Sequence, residues 1–163
     1  GWICIQPGGQ EWMMVWGGRS LLKVLIADDE INIILLIKSL IDRKKTAVEI
    51  IGEAGDGITA LEMVRRLKPD VVITDIRMPG MSGMDLIRHV REEQIPVEFV
   101  IISGYSEFEY ARSAIQYGVS DYLLKPIKQA ELMETLEKIR EKCESRLETM
   151  EPSAGSIRTA KRI

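Results

Sequence analysis

The sequence predicts a doubly wound α/β fold, one parallel five-stranded sheet with helices on both faces. Three observations carry that expectation. Aliphatic and β-branched runs alternate with stretches of helical apolar spacing, short Gly, Pro or Asp loops separate them, and the strand runs are continuously apolar. Strands covered on both faces show such runs, whereas half-exposed strands alternate. Regular βα alternation in turn calls for parallel pairing.

In chain order, "LLKVLIA" (21–27) reads as a buried strand and "INIILLIKSLI" (31–41) as a strongly apolar helix. "VEIIGEA" (48–54) is a strand and "ITALEMVRRL" (58–67) a helix. "VVIT" (71–74) is the third strand, followed by a helix from about Met84 to Glu93 and the strand "EFVIIS" (98–103). "EFEYARSAIQYG" (107–118) is helical and closes on a glycine suited to a C-cap. "DYLL" (121–124) is a short strand, and a last helix runs from about Gln129 to Glu148. Right-handed crossovers leave few topologies for such a (βα)5 chain, and the flavodoxin-like order 2-1-3-4-5 leads them.

The remaining segments are peripheral. Residues 1–20 hold all three tryptophans and five of the thirteen glycines with no sustained period, and read as an extension or non-native start. The domain proper is expected over 21–141. Residues 142–163 form the end of a linker helix and a tail toward a further domain. In the last helix Leu132, Leu136 and Ile139 suit packing on the sheet, while Cys143 and Leu147 continue the stripe beyond it. "IILLI" in the first helix is more apolar than one covered face needs, so it suits a docking patch or a surface packed beneath the N-terminal segment.

Composition narrows the function. The 163 residues are 45% apolar and 29% charged, the profile of a globular protein. A net charge of −3 and a pI of about 5.4 supply no basic field for nucleic acid. No run approaches the ~18 apolar residues of a membrane span. Cys4 and Cys143 lie near opposite ends without metal-ligand spacing, which suits a reducing cytoplasm.

The polar residues then fall on one rim. In such a sheet ligands sit beyond the carboxyl ends of the strands. The first strand delivers Asp28 and Asp29 there, the third Asp75, the fourth Ser103 and the fifth Lys125. Each acid alone would be read as a helix N-cap. Convergence from four strands weakens that reading. Three crowded carboxylates repel unless a hard cation joins them, and Mg²⁺ (or Mn²⁺) takes one or two carboxylates and shares phosphoryl oxygens. A carboxylate beside Mg²⁺ can attack phosphorus and become an aspartyl phosphate. Lys125 and Ser103 would then hold the new oxygens.

"VLIADDE", "DVVITDIRMPGMSGMDLI" and "VIISGYSEFEYARSAIQYGVSDYLLKPI" together resemble the receiver (CheY-like) domain of bacterial two-component response regulators, over about residues 22–140. The resemblance implies that Asp75 is the phospho-acceptor, with Asp28, Asp29 and the backbone carbonyl of Arg77 as metal ligands. It makes Ser103 the hydroxyl switch, Lys125 the phosphate-pairing lysine and Tyr122 the switch aromatic, and it implies a cis bond before Pro126. A sensor histidine kinase is the implied phosphoryl donor, and phosphorylation is expected to drive homodimerisation. The face formed by the fourth helix, fifth strand and fifth helix would carry the change. "SGYSEFEYARSAIQYGVSDYLLKP" further resembles receivers that precede an AraC-type helix-turn-helix domain. DNA binding is therefore expected only through such an output domain. Arg77 and Tyr105 flank the path of an attacking water, so slow autodephosphorylation, minutes to hours, is expected. His89 reads as a solvated helix residue.

Other classes fit less well. An aspartyl-phosphate phosphatase would place an acid where Arg77 stands. An FMN carrier would need a Ser/Thr/Gly loop in place of "DDEIN", whose acids repel phosphate. A degenerate receiver acting as a scaffold would not need the full set of Asp28, Asp29, Asp75, Ser103 and Lys125.

Overall fold

Three short strands come first in the chain: β1 (Trp2–Ile5), β2 (Met13–Trp16) and β3 (Arg19–Ser20). They form an antiparallel sheet in which Trp16 lies opposite both Trp2 and Arg19. Periodicity assigns no element here, because two- to four-residue strands are too short to register one. The signal was local: "WICI" and "MMVW" carry aromatic and β-branched residues, and Gly17-Gly18 stands between two paired positions, the dipeptide of tight hairpins. The structure, a computed structural model, describes residues 2–5, 13–16, 19–41, 47–104 and 116–150, with side chains for 21–41, 47–104 and 116–144.

The second sheet is built as the sequence predicts. Its strands are β4 (Leu22–Ala27), β5 (Val48–Ala54), β6 (Val71–Asp75), β7 (Glu98–Ser103) and β8 (Asp121–Leu124). All pairs are parallel, in the order β5-β4-β6-β7-β8, which is 2-1-3-4-5 counted within this sheet. The helices are α1 (Ile31–Leu40), α2 (Gly57–Leu67), α3 (Gly83–Glu92) and α4 (Gln129–Met150). Of the helix expected over 107–118, residues 107–115 lie outside the described set. Gln116 and Tyr117 form a single 3₁₀ turn, and Gly118 takes φ 74°. That is left-handed backbone, which glycine adopts at no steric cost.

Neighbouring residues of one strand enter different cores. Leu25 and Ala27 of β4 pack with Leu61 and Val64 of α2, Leu86 and Val90 of α3, and Phe99 and Ile101 of β7. Val24 and Ile26 pack with Ile34 and Ile37 of α1, Val100 and Ile102, and Leu132, Leu136 and Ile139 of α4. Cys143 packs at the edge of this second core. Burial on both faces is why the strand runs lack alternation. On α1 some of the surplus apolar residues are exposed, Ile31 at 59% and Leu35 at 53%. Among the described residues no helix is long and apolar enough to cross a membrane.

Local chemistry fixes the helix starts near the rim. Asp56 caps α2 by accepting the Thr59 N–H at 2.7 Å, and Ser82 caps α3 by accepting the Asp85 N–H at 3.1 Å. Gly83 must be glycine for a different reason: a Cβ there would lie 2.1 Å from the carbonyl oxygen of Asp75. Its N–H donates to the Ile76 carbonyl at 2.7 Å. Helix α3 therefore begins pressed against the backbone of the third strand's terminal acid.

Candidate functional site

The parallel sheet ends its strands on one rim, and the rim gathers the polar residues that the sequence points to. β4 runs out at Ala27, so Asp28 follows directly and its N–H donates to Ala54 at 2.9 Å, which keeps the two strands paired to their tips. Asp28 is buried at 2% exposure, while Asp29 and Glu30 are exposed. β6 ends on Asp75, 8% exposed, and β7 ends on Ser103, fully buried. β8 hands over to Lys125, whose N–H donates to the Ser103 carbonyl at 2.8 Å. The Lys125–Pro126 peptide bond is cis.

The carboxylates lie close together. One ligand oxygen from each of Asp28, Asp29, Glu30 and Asp75 can be chosen so that all lie within 4.8 Å of one another. The Lys125 ammonium stands among them, 3.5 Å from Asp75 Oδ2, 3.8 Å from Glu30 Oε1 and 4.0 Å from Asp28 Oδ2. Backbone donors orient the two buried acids: Asp28 Oδ1 accepts the Glu30 N–H at 2.8 Å, and Asp75 Oδ1 accepts the Ile76 N–H at 2.7 Å. The Ile76 contact leaves Oδ2 of Asp75 facing the ammonium. Thr74, buried, donates to the Asp75 carbonyl at 2.9 Å and fixes the backbone beneath it.

Electrostatics record the crowding. Burial pushes the Asp28 carboxyl up to about 6, with the charges of Asp75 and Asp29 adding to it against the Glu30 N–H and the Lys125 ammonium. Asp75 is raised above the usual carboxylate range, again chiefly by burial, with Lys125 and the Ile76 N–H opposing. One ammonium among four acids leaves excess negative charge, and desolvated acids in that state favour a proton or a cation. The donor set is all oxygen, which suits a hard divalent ion such as Mg²⁺.

Behind the acids lies a hydroxyl pair. Ser103 Oγ and the Tyr122 hydroxyl are 2.6 Å apart, and Ser103 Oγ also reaches the Gly104 carbonyl at 3.4 Å. Tyr122 is half-buried and packs at the edge of the α2/α3 core. Arg77 is exposed on the loop after β6, His89 is half-buried on α3, and Tyr105 lies outside the described residues.

Two contributors escape a strand-end reading. Glu30 joins both the carboxylate group and the neighbours of Lys125, and its signal was the third consecutive acid in "ADDE". Gly83 acts through absence of a side chain, and "SGM" offers no way to see which backbone it must admit.

Residues 24–137 match a family described as the response regulator receiver domain. The chain is 40% identical over 119 residues to an uncharacterised transcriptional regulatory protein, YesN of Bacillus subtilis, a match covering 73% of this chain and 32% of that one. It is 39% identical over 112 residues to the transcriptional regulatory protein HptR of Staphylococcus aureus, covering 69% and 44%. Among solved structures it is similar to the REC domain of AraT, a response regulator from Geobacillus stearothermophilus. There the TM-score is 0.74 and the identity 42%, with 78% of this chain and 98% of that one covered. The chain thus spans less than half the length of these two curated relatives.

Proposed function

This chain belongs to the response regulator receiver domain family, a regulatory and not a catalytic class, and we propose that it is a working phospho-acceptor. Asp75 is the acceptor. The observation that carries this reading is the Lys125 ammonium 3.5 Å from Oδ2 of a buried, terminally placed Asp75, with Asp28 and Asp29 beside it.

In the proposed reaction a carboxylate oxygen of Asp75 attacks the phosphorus of a phosphohistidine on a sensor histidine kinase. The new O–P bond forms as the N–P bond breaks, and the electron pair leaves with the imidazole. Asp28, Asp29 and Asp75, with the Arg77 carbonyl, would hold Mg²⁺ or Mn²⁺, and Glu30 is a further carboxylate within reach. Such an ion, when bound, offsets the crowded acids and shares the incoming phosphoryl oxygens. Lys125 pairs with the phosphoryl charge, and Ser103 donates to it. The phosphoryl group adds about −1.5 to −2 charge and three acceptor oxygens. Ser103 turning toward that charge alters its contact with Tyr122, and the face of β8 and α4 changes with it. That face is the proposed surface for homodimerisation.

Control of an AraC-type DNA-binding output domain in the whole protein, with α4 as linker from about residue 142, belongs to the same proposal, as does a cytoplasmic setting. Arg77 and Tyr105 are proposed to shield the acyl phosphate and give it a lifetime of minutes to hours.

Intact-mass spectrometry after acetyl phosphate and Mg²⁺ tests the core of this reading. One added phosphoryl group, lost in Asp75→Ala and without metal, is expected. If the folded parent gains no mass and binds no beryllofluoride, phospho-acceptance is ruled out.

A further inference from the structure

Helix α3 reaches the site from two ends. Its first residue, Gly83, is pressed on the Asp75 carbonyl, as described above. Near its other end stands Arg91, half-buried, whose guanidinium is spent on backbone carbonyls. Nε donates to Tyr117 at 2.8 Å, one terminal nitrogen to Val97 at 2.8 Å, and the other to Gly118 at 3.2 Å. The guanidinium carbon lies 5.2 Å from the centroid of the fully buried Phe99 ring, within cation–π range.

Two of these contacts fall on the stretch that leads into β8, and the third falls on the residue before β7. Val97 immediately precedes β7, and Tyr117 and Gly118 lie four and three residues ahead of Asp121. The same stretch is tied again by the Ser120 N–H to Phe99 at 2.9 Å and by the Ser120 hydroxyl to Glu98, which also accepts Lys142 at 3.1 Å. Beyond it β8 pairs with β7 in register, Tyr122 opposite Ile101, and the Tyr122 hydroxyl meets Ser103. An arginine supplies this three-way contact from a planar fork of separate nitrogens, whereas the three N–H donors of a lysine all radiate from one nitrogen and do not match that spread.

We propose that Arg91 is a positioning residue for the Ser103–Tyr122 contact: it fixes where β8 begins and so where the Tyr122 hydroxyl arrives. Its regulatory meaning rests on the receiver reading of Ser103 and Tyr122. Through Gly83 and Arg91, α3 braces the acceptor's backbone at one end and the strand of Tyr122 and Lys125 at the other. Arg91→Lys replaces the planar fork with donors on a single nitrogen, so the approach to β8 keeps its Ser120 ties but loses the part of its anchoring that Arg91 supplies, while Asp75, Asp28 and Asp29 keep theirs.

The test uses the full chain labelled with 3-fluorotyrosine, the Tyr122 resonance being assigned with Tyr122→Phe. In Arg91→Lys, free of phosphate analogues, the Tyr122 fluorine resonance is expected to shift toward that of free fluorotyrosine. A lowered Tm with the Tyr122 resonance unmoved would make Arg91 merely structural and overturn the proposal. Should Arg91→Lys not fold, the parent still decides through its own Arg91 Nε–H. That proton is expected to exchange slowly with solvent both without and with beryllofluoride, and fast exchange in either state sinks the idea. A parent that takes up no phosphoryl group defeats the proposed function alone, since the fluorine readout is made on the free protein.

Discussion

The Tyr122 hydroxyl and Ser103 Oγ share a hydrogen bond of 2.6 Å at the end of β7, one strand away from Asp75. In such a pair one hydroxyl donates and the other accepts, so a phosphoryl oxygen that takes the Ser103 donor changes what Tyr122 can do. Tyr122→Phe should cost on the order of 1 kcal/mol in urea unfolding and leave phosphoryl uptake intact. Tyr122→Ala should abolish phosphorylation-dependent dimerisation, read by light scattering with and without beryllofluoride. Unchanged dimerisation in Tyr122→Ala would remove it from the switch.

Gly83→Ala is expected to be among the harshest small substitutions. The added Cβ has backbone on the opposing side, 2.1 Å away, which cannot rotate out of the path. Overpacking of this kind costs about 1–3 kcal/mol. Since the displaced group is the Asp75 carbonyl, uptake from acetyl phosphate should fall together with the urea midpoint. A stability loss with normal uptake would show that α3 moves in place of Asp75.

Stability of the metal-free chain should fall as pH rises between about 4 and 6. The Asp28 carboxyl ordinarily titrates at 3.8 but is pushed to about 6 in the fold. Across that window the folded state holds a proton that the unfolded state has lost, so raising pH favours unfolding. The expected loss is on the order of 2 kcal/mol. Asp28→Asn should flatten the profile and raise the metal-free Tm at neutral pH by a few degrees. It should also weaken the stabilisation that added Mg²⁺ gives the parent. Thermal unfolding in EDTA across the range checks the sign.

The acyl phosphate should decay faster when its proposed shield is opened. For Arg77→Asn combined with Tyr105→Glu, about tenfold is expected, a barrier change near 1.4 kcal/mol. Loss of the added mass over time measures it. An unaltered decay constant would leave those two positions as partner contacts.

How much of this could be read from the residues depends on the range of the interaction. Strand ends such as Asp75 and Ser103 were legible, because continuous apolar runs fix where a buried strand stops and the topology fixes which rim its end reaches. For the four described helices the limits agreed to within two residues, with α3 beginning at Gly83 and not Met84, while the helix expected over 107–118 lies mostly outside the described residues. Asp75 itself proved to be the last residue of β6. The strands β1 to β3 were missed because four residues cannot display a period. Gly83 and Arg91 were missed for a different reason: their partners are backbone atoms of Asp75, Val97, Tyr117 and Gly118, and a carbonyl leaves no mark in the residue code. The reach of Lys125 to Glu30 was likewise invisible, since it depends on how two loops from distant strands meet.

Helix α4 is 22 residues long, while its deepest core residues, Leu132, Leu136 and Ile139, all lie in its first half. At about 1.5 Å per residue, the eleven residues after Ile139, to Met150, make an arm of about 16 Å. Turning such an arm by about 10° around its seated half carries the far end through about 3 Å, the width of a hydrogen bond. Motion too small to disturb the packing of Leu136 against the sheet is thus multiplied at the tip into a step large enough to make or break polar contacts.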